Sequence, residues 1–417
     1  MSQSLSTSAA MVTNEWHLQG KRAAVVSYSF YPGDPRPRRA AEALIDAGMA
    51  VDVICVAEDG CVPRTDTFNG VNILRIPIQR SRRSAFGYLG RYAAFVLCAL
   101  AILARRSLTR RYDLVHTHNM PDIVAFSALV PKLLGAKVIL DLHDPMPELM
   151  MTISNLEADA WRVRLLQRLE KWSIRFSDAV LTVNHACKAI FGSRSCRPDK
   201  IAVIMNSPDD KLFPFRSVAD LAARPRGQRF TIMYHGTLVD RNGLDLAVEA
   251  LAQARRSIPQ AELCIYGHRT PFLDQALEAV RARGLNEAVH YCGPQRLEDL
   301  AALIDASDLG VIPNRPSVFS RLNTPTRIFE YLARGKPVIA PRARGIQDYF
   351  DDRSLIFFEL GNAGDLARKI EYVEANPDEV VEITKRGQAV YLAHTWDQER
   401  LTFLNCVRAL LSATVGA

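Results

Sequence analysis

The run Arg22-Ala-Ala-Val-Val-Ser-Tyr28 leads through Tyr31-Pro-Gly-Asp-Pro-Arg-Pro37 into Arg38-Arg-Ala-Ala-Glu-Ala-Leu-Ile-Asp-Ala47, and past Gly48 into Val51-Asp-Val-Ile-Cys-Val56. The first run is β-branched and aromatic, as a buried strand requires. The Pro/Gly cluster is a turn. Residues 38–47 have apolar side chains at helical spacing, and Gly48 stops the helix. The last run is a second strand. Strand, helix and strand in this order form a right-handed βαβ unit, the building block of parallel sheets.

The same alternation continues outward. Strands are expected at Leu114–Thr117, Val138–Leu142, Ala179–Val183 and Ile201–Met205, with helices at Ile123–Leu134 and Asp159–Phe176. Asn206–Arg229 holds three prolines and mixed charge without a period, which reads as a linker. The alternation then restarts. Strands are expected at Thr231–Tyr234, Leu263–Tyr266, Val289–Cys292, Leu309–Pro313, Pro337–Ala340 and Leu355–Phe358. Helices are expected at Leu244–Ala254, Phe272–Gly284, Leu297–Ala306, Pro325–Arg334 and Asp365–Glu374, with a last one near Trp396–Ser412. The fold class is therefore α/β, with two doubly wound parallel-sheet domains. The expected division is a disordered tail over 1–20, an N-terminal domain over 21–206, a linker over 207–229 and a C-terminal domain over 230–395. Residues 396–417 form a closing helix expected to pack back on the N-terminal domain. A ligand is expected at the carboxyl ends of the strands, in a cleft that the two domains face.

Composition excludes other classes. The chain has 417 residues, 48% hydrophobic and 23% charged, which fits a globular protein and not a disordered or polytopic one. The longest uncharged apolar run, Tyr92–Ala104, is shorter than a spanning helix needs. Residues 1–20 lack the basic and apolar regions of a secretory signal. Eight scattered cysteines with no C-x-x-C pair suggest reduced thiols and a cytoplasmic setting. The net charge is +7, yet eight arginines and no acid lie between Gln79 and Tyr112. The basicity is thus confined to one segment.

Chemistry concentrates in a few stretches. Asn323-Thr-Pro-Thr-Arg-Ile-Phe-Glu-Tyr-Leu-Ala-Arg-Gly-Lys-Pro-Val-Ile-Ala340 begins with Thr324 as a helix cap and Pro325 at the first helical position. The amides of Thr326 and Arg327 would then face an anion, aided by the helix dipole and the Arg327 charge. Glu330, on the same helical face, suits a pair of ribose hydroxyls. The plainer alternative is a capped core helix with a surface Arg–Glu pair. In Tyr234-His-Gly-Thr-Leu-Val-Asp-Arg-Asn-Gly243, Gly236 would admit a ligand to the backbone, and Arg241 would reach a phosphate. An ordinary βα turn accounts for it equally. Ile265-Tyr-Gly-His-Arg269 repeats the strand-to-glycine step with Gly267. In the N-terminal half, Val115-His-Thr-His-Asn-Met-Pro-Asp122 and Asp141-Leu-His-Asp-Pro-Met-Pro-Glu148 stand at strand ends. His116 and His118 share a strand face. With His143 and Asp144 they form either a metal set, a group of buried hydrogen-bonded histidines, or part of a substrate site. No metal is expected.

Taken in order, these stretches resemble the retaining glycosyltransferases of family 4, which have the GT-B fold. Asp305-Ala-Ser-Asp-Leu-Gly-Val-Ile-Pro313, Val203–Pro208, Tyr31–Leu44, Val115–Asp122 and Leu140–Glu148 complete the set, and the resemblance runs from Lys21 over nearly the whole chain. It implies sugar transfer from a nucleotide diphosphate donor with retention and without metal or cofactor. The chain has no Asp-x-Asp, the metal signature of the other large transferase fold. Glu330 matches the second glutamate of the family's Glu-x7-Glu motif, which binds the donor ribose. Leu322 stands where the first belongs, and Thr237 and Asn242 replace the diphosphate Arg and Lys. Arg241 and Arg327 are the expected substitutes. The resemblance sets His118 and His143 beside the transferred sugar as catalytic residues, with Asp144 orienting a histidine or an acceptor hydroxyl. Asp34 and Arg36, in the loop that replaces a glycine-rich one, are expected on the acceptor side.

The expected activity is hexose transfer, from a UDP-sugar in preference to a GDP-sugar, to a lipid-linked or saccharide acceptor in cell-surface polysaccharide assembly. A nucleotide-sugar epimerase and a non-catalytic GT-B subunit binding a partner transferase are the alternatives. Gln79–Arg111, an apolar helix over Ala85–Ala104 with basic ends, suits an anionic membrane surface as well as a buried position. It suggests a peripheral protein at the inner face of the membrane. Nucleic acid is not expected as a partner, because interleaved aromatics and a binding motif are missing.

Overall fold

The structure, a computed structural model, describes residues 18–57, 62–78, 85–220 and 229–412. Most of the expected tail, Cys61, the three arginines Arg80, Arg82 and Arg83, and part of the expected linker lie outside the described residues. The chain divides into two units. One runs to Met205 and resumes at Glu399, and the other is Asn206–Gln398.

The first unit contains β1 (Arg22–Phe30), α1 (Pro35–Asp46), β2 (Ala50–Val56), β3 (Thr65–Phe68), β4 (Val71–Ile76), α2 (Ala85–Thr109) and β5 (Leu114–His118). A 3₁₀ segment (Asp122–Ala128), α3 (Leu129–Leu133), β6 (Lys137–Leu142), α4 (Met146–Ser154), α5 (Trp161–Phe176), β7 (Ala179–Thr182), α6 (His185–Arg194) and β8 (Ile201–Val203) follow. The sheet order is β3-β4-β2-β1-β5-β6-β7-β8. β3 is antiparallel to β4, and the other pairings are parallel. The seven inner residues of β1 are all buried, because helices cover both faces of a parallel sheet. One core joins Val26, Ile54, Val115 and Val138 to Phe95, Ala99 and Leu103 of α2.

Two of the expected helices differ in detail. Helix α1 starts at Pro35 and not at Arg38, since Oδ1 of Asp34 accepts the Arg36 amide at 3.2 Å and Pro35 fits the first position. The expected helix 123–134 is mostly 3₁₀, with one α-turn at its end. The β3–β4 hairpin was not anticipated. Its turn is Asn69-Gly70, with φ of 48° and 79°.

The second unit contains β9 (Phe230–His235), α7 (Leu244–Ala254), β10 (Ala261–Tyr266), α8 (Pro271–Ala282), β11 (Val289–Tyr291), α9 (Leu297–Asp305) and β12 (Leu309–Val311). Then come α10 (Thr326–Ala333), β13 (Val338–Pro341), α11 (Arg344–Gln347), β14 (Ile356–Phe358), α12 (Ala363–Ala375) and α13 (Pro377–Ala393). The strands are parallel in the order β11-β10-β9-β12-β13-β14. Helix α13 was not expected. It explains why residues 206–220 are packed and do not behave as a free linker. Gln388 of α13 accepts the Val218 amide at 2.9 Å and donates to the Arg216 and Leu332 carbonyls at 2.7 and 2.8 Å, while Phe213 is buried.

Helix α14 (Trp396–Ser412) closes the chain, and from Glu399 onward it belongs to the first unit. There Glu399 accepts the Met205 amide at 2.8 Å, and Arg400 pairs with Asp46 at 2.9 Å. In each sheet the chain reverses direction beside its first strand, at β1 between β2 and β5 and at β9 between β10 and β12. Those switch points are where doubly wound sheets hold ligands.

Candidate functional site

In the second unit the site grows from the end of β9. His235 is its last residue and is buried. Gly236 follows with φ 124°, and its amide donates to Tyr266 at the end of β10. Gly267, with φ 157°, comes next on that strand, and a Cβ there would lie 2.2 Å from the Gly236 carbonyl oxygen. Both positions therefore require glycine, and the two bare loops form one floor.

Helix α10 stands over this floor. Its N-cap is Pro325, and no side chain caps it. Thr324 is not the cap; its hydroxyl donates to the Gly345 carbonyl at 2.7 Å. The first turn, with Thr326 and Arg327, thus begins without a side chain on its amides. Arg327 is held in place. Its guanidinium donates to the His235 carbonyl, lies 5.1 Å from the centroid of the Tyr234 ring, and would be 3.3 Å from a Cβ on Gly236.

Glu330 sits one turn further along, and its Oε2 is 2.6 Å from Nε2 of His235. Nδ1 of that ring is 2.9 Å from the Tyr331 hydroxyl, which donates to the Met233 carbonyl at 2.9 Å. Burial holds the Tyr331 phenol well above its ordinary pKa, so it remains a donor. Gly310 on β12 makes room, since a Cβ there would be 2.4 Å from the Tyr331 ring. A chain of contacts thus runs from β9 through Tyr331 and His235 to a carboxylate at the sheet's switch point. His235 carries no role by residue type alone. Its signal was the position one residue before the turn glycine.

The departures at 237 and 242 have a structural counterpart. Nδ2 of Asn242 donates to the Thr237 carbonyl at 2.8 Å, which also accepts from Tyr234. The loop is closed by a neutral amide where the family pattern has a cation. Leu322, where the family pattern has a glutamate, is buried. Arg241 is half-exposed in a short turn, and its side chain makes no hydrogen bond or ion pair among the described residues.

The first unit has its own constellation. His118 ends β5, opposite Asp141 of β6, and the rings of His116 and His118 are 4.2 Å apart on one face. Arg36 from α1 reaches into this cluster. Its Nε and one terminal nitrogen donate to the two Asp141 oxygens at 2.9 and 2.8 Å, and the other to the Ile204 carbonyl at 3.2 Å. Arg36 is 8% exposed, so the residue expected on the acceptor side spends its guanidinium inside the fold. Asp34 is the α1 cap already described.

Burial opposes ionisation of Asp141, but Arg36 and the two histidines outweigh it and hold its pKa well below the ordinary range. The same burial, with His116 alongside, pushes His118 well below its ordinary value, so it is neutral. His116, His118 and Asp141 have the types and spacing of a metal set. Arg36 already occupies both oxygens of that carboxylate, while the ring nitrogens of His116 and His118 are buried with no hydrogen-bond partner among the described residues. His118 is wholly buried, whereas His143 and Asp144 keep some exposure.

Asn119, also without a role in the sequence reading, orders this loop. Its Oδ1 accepts the His143 amide at 3.2 Å, and its Nδ2 donates to the Asp144 carbonyl at 2.7 Å and to Asp122 at 3.0 Å. Asp122 is buried near a second cluster, in which Arg194 pairs with both Glu148 and Glu170. Burial and the Glu170 charge push the Asp122 carboxyl up to about 7.

Known proteins resemble this chain in sequence and fold. Residues 34–207 match the Glycosyl transferase 4-like domain, and residues 229–376 match Glycosyl transferases group 1. A glycogen synthase of Mycobacterium tuberculosis is 27% identical over 248 residues, covering 57% of this chain and 53% of that protein. A probable glycosyltransferase, WbjE, of Pseudomonas aeruginosa is 23% identical over 250 residues, covering 58% and 60%. The chain thus spans about half the length of the curated relatives it matches. Among solved structures, the sucrose-phosphate synthase of Thermosynechococcus elongatus superposes with a TM-score of 0.75 at 22% identity, over 94% of this chain and 100% of that one. Anabaena HepE in complex with UDP-glucose gives 0.70 at 18% identity, over 93% and 99%. At these identities the likeness shows the fold.

Proposed function

The chain belongs to the GT-B glycosyltransferases of the family 4 and group 1 type, and from that premise we propose that it transfers a hexose from a nucleotide diphosphate sugar, with UDP favoured. The observation that carries this reading is the second unit's constellation of Gly236, Gly267, Arg327 and Glu330, tied together through His235. The glycine floor leaves backbone open to a diphosphate. The uncapped first turn of α10 and the Arg327 guanidinium give it an electropositive seat. Glu330, its geometry fixed by His235, accepts from two ribose hydroxyls.

The hard step is departure of the nucleotide diphosphate from the anomeric carbon. Charge grows on the leaving oxygen, and fixed donors with no reorganisation to make lower that barrier. Arg327, the amides of Thr326 and Arg327, and Arg241 are those donors. The leaving phosphate takes the proton of the incoming acceptor hydroxyl, so no protein nucleophile and no metal are needed. On the first unit, His143 and Asp144 are the groups of their loop left open to a substrate. The neutral, buried His118 serves as support for that loop.

The UDP preference is supported by HepE, solved with UDP and with UDP-glucose. A saccharide or lipid-linked acceptor in cell-surface polysaccharide assembly is the wider role. A second reading, a nucleotide-binding subunit without turnover, draws on the buried Leu322 and the Asn242–Thr237 closure, which remove charged donor contacts.

Calorimetric titration with UDP, GDP and ADP, in wild type and Glu330→Ala, tests the donor site. Micromolar binding of UDP, lost in the variant, is the expected result. Undiminished binding by the variant would overturn the ribose assignment. Binding without sugar release from any UDP-hexose would favour the second reading.

A further inference from the structure

Three helical pieces of the first unit lie side by side. Helix α2 packs against the 3₁₀ segment and α3, and α5 packs against the 3₁₀ segment. Phe126 and Phe176 seal the last contact, with ring centroids 5.2 Å apart. The inner faces are core. The outer faces are unlike an ordinary protein surface.

Helix α2 contains a stretch, Gly90–Thr109, long and apolar enough to cross a membrane. The uncharged run Tyr92–Ala104 alone did not suggest this length. Yet Phe95, Ala99 and Leu103, one per turn, are fully buried in the unit's core. The helix is therefore fixed on the sheet by one stripe, while its other sides are exposed, with Leu97 at 63% and Leu108 at 80%. Leu133 of α3 is 77% exposed beside it.

Helix α5 adds aromatics and charge. Trp161, Leu165 and Trp172 are separated by four and seven residues, so they share one face. The two tryptophans are 69% and 57% exposed. Around them stand Arg162, Arg164, Arg168, Lys171 and Arg175. The helix has one acid, Glu170, which is buried and paired with Arg194. Arg105, Arg110 and Arg111 are exposed at the end of α2. Opposing acids are Glu157 and Asp159, in the loop before Trp161, and Asp178, which is paired with Lys132.

Large apolar side chains ringed by one sign of charge mark a binding surface. Indole rings prefer the boundary between water and hydrocarbon, and arginine stems reach from apolar surface to phosphate. We propose that the outer face of α2, α3 and α5 docks on an anionic lipid bilayer. Leu97, Leu108, Leu133, Trp161 and Trp172 enter the interface, and the arginines meet lipid phosphates. The helices lie on the bilayer and do not cross it, because α2 is held by its core stripe. This surface is separate from the nucleotide reading, and its test is independent of it.

The full chain is mixed with vesicles of phosphatidylcholine alone, or of phosphatidylcholine with phosphatidylglycerol, and sedimented at low and high salt. Binding to the anionic vesicles, weakened by salt and accompanied by a blue shift of tryptophan emission, is expected. Trp161→Ala with Trp172→Ala, and separately Leu97→Glu with Leu108→Glu, should weaken it about tenfold or more. Their far-ultraviolet circular dichroism should match the wild type. No binding by the folded wild type, or equal binding to neutral vesicles, would overturn the proposal. So would variants that bind lipid as before. Self-association in sedimentation velocity that the same substitutions abolish, without lipid binding, would reassign the face to a protein contact.

Discussion

His235 has contacts on both ring nitrogens, and this is what makes Glu330 a fixed acceptor. One ring nitrogen of His235 lies against the Tyr331 hydroxyl and the other against the Glu330 carboxylate, so the ring bridges the two. A charged hydrogen bond of this kind contributes about 1.5–3 kcal/mol. His235→Ala should therefore weaken UDP binding about tenfold to a hundredfold. The loss should fall on the ribose. Wild type should prefer UDP over its 2′-deoxy analogue, and His235→Ala should bind the two alike. An unchanged preference in the variant would remove His235 from this role. Arg36 differs, because its partner is fully enclosed. Removing it leaves Asp141 as a buried, uncompensated charge, at a cost of about 3–5 kcal/mol. Arg36→Ala should lower the urea midpoint strongly, and adding Asp141→Asn should restore part of it. No restoration would mean that Arg36 stabilises by packing instead.

At the scale of elements, the glycines separate site from scaffold. At Gly243, φ is 66° and a Cβ would be 1.9 Å from the Pro313 carbonyl oxygen, so Gly243→Ala must distort two loops. At Gly236 the first atom met is the Arg327 guanidinium at 3.3 Å, the end of a flexible side chain. Both φ values strain an alanine, but only at Gly243 does the Cβ also meet backbone, so Gly236→Ala should lose nucleotide affinity with a smaller loss of stability, and Gly243→Ala should lose more, by over about 1 kcal/mol. Equal thermal midpoints for the two variants would contradict this division.

Elements also show what the sequence made legible. The strands of both sheets other than β3 and β4 were readable because parallel strands buried on two faces are short continuous apolar runs. Helix α13 was missed because its burial is against residues 206–220 and Leu332, a tertiary partner that no local period announces. The β3–β4 hairpin carried its Asn-Gly signal, but its outer strand Thr65–Phe68 is polar and exposed at the sheet edge. Within the site, motif glycines and Glu330 were visible as residue types. The pairing of Arg36 with Asp141 across 105 positions was not, since an arginine near a turn looks the same whether it faces solvent or core.

For the molecule as a whole, the buried charges of the first unit set a pH dependence. The folded chain keeps a proton on Asp122 up to about pH 7. The unfolded chain releases it near its ordinary value of about 3.9. Between these values the folded state binds more protons, so this group's contribution is complete below about pH 4 and is lost as the pH rises through 7. Asp141 acts in the opposite window. Its folded pKa is depressed, so its contribution is present above about pH 4 and lost in stronger acid. Comparing wild type with Asp122→Asn separates the two, because Asp141 is common to both. The amide retains an oxygen for the Asn119 donor and cannot ionise. At about pH 4 the two proteins should unfold at similar urea concentrations. By pH 8 the variant should be more stable, by about 2–4 kcal/mol if the full shift is expressed. Burial is the main reason the proton is retained, and the Glu148–Arg194–Glu170 cluster adds to it, for a third carboxylate beside two paired with one arginine would be unbalanced. A stability difference that stays constant from pH 4 to 8 would mean that Asp122 keeps its ordinary pKa in the folded chain, and that the cluster tolerates its charge.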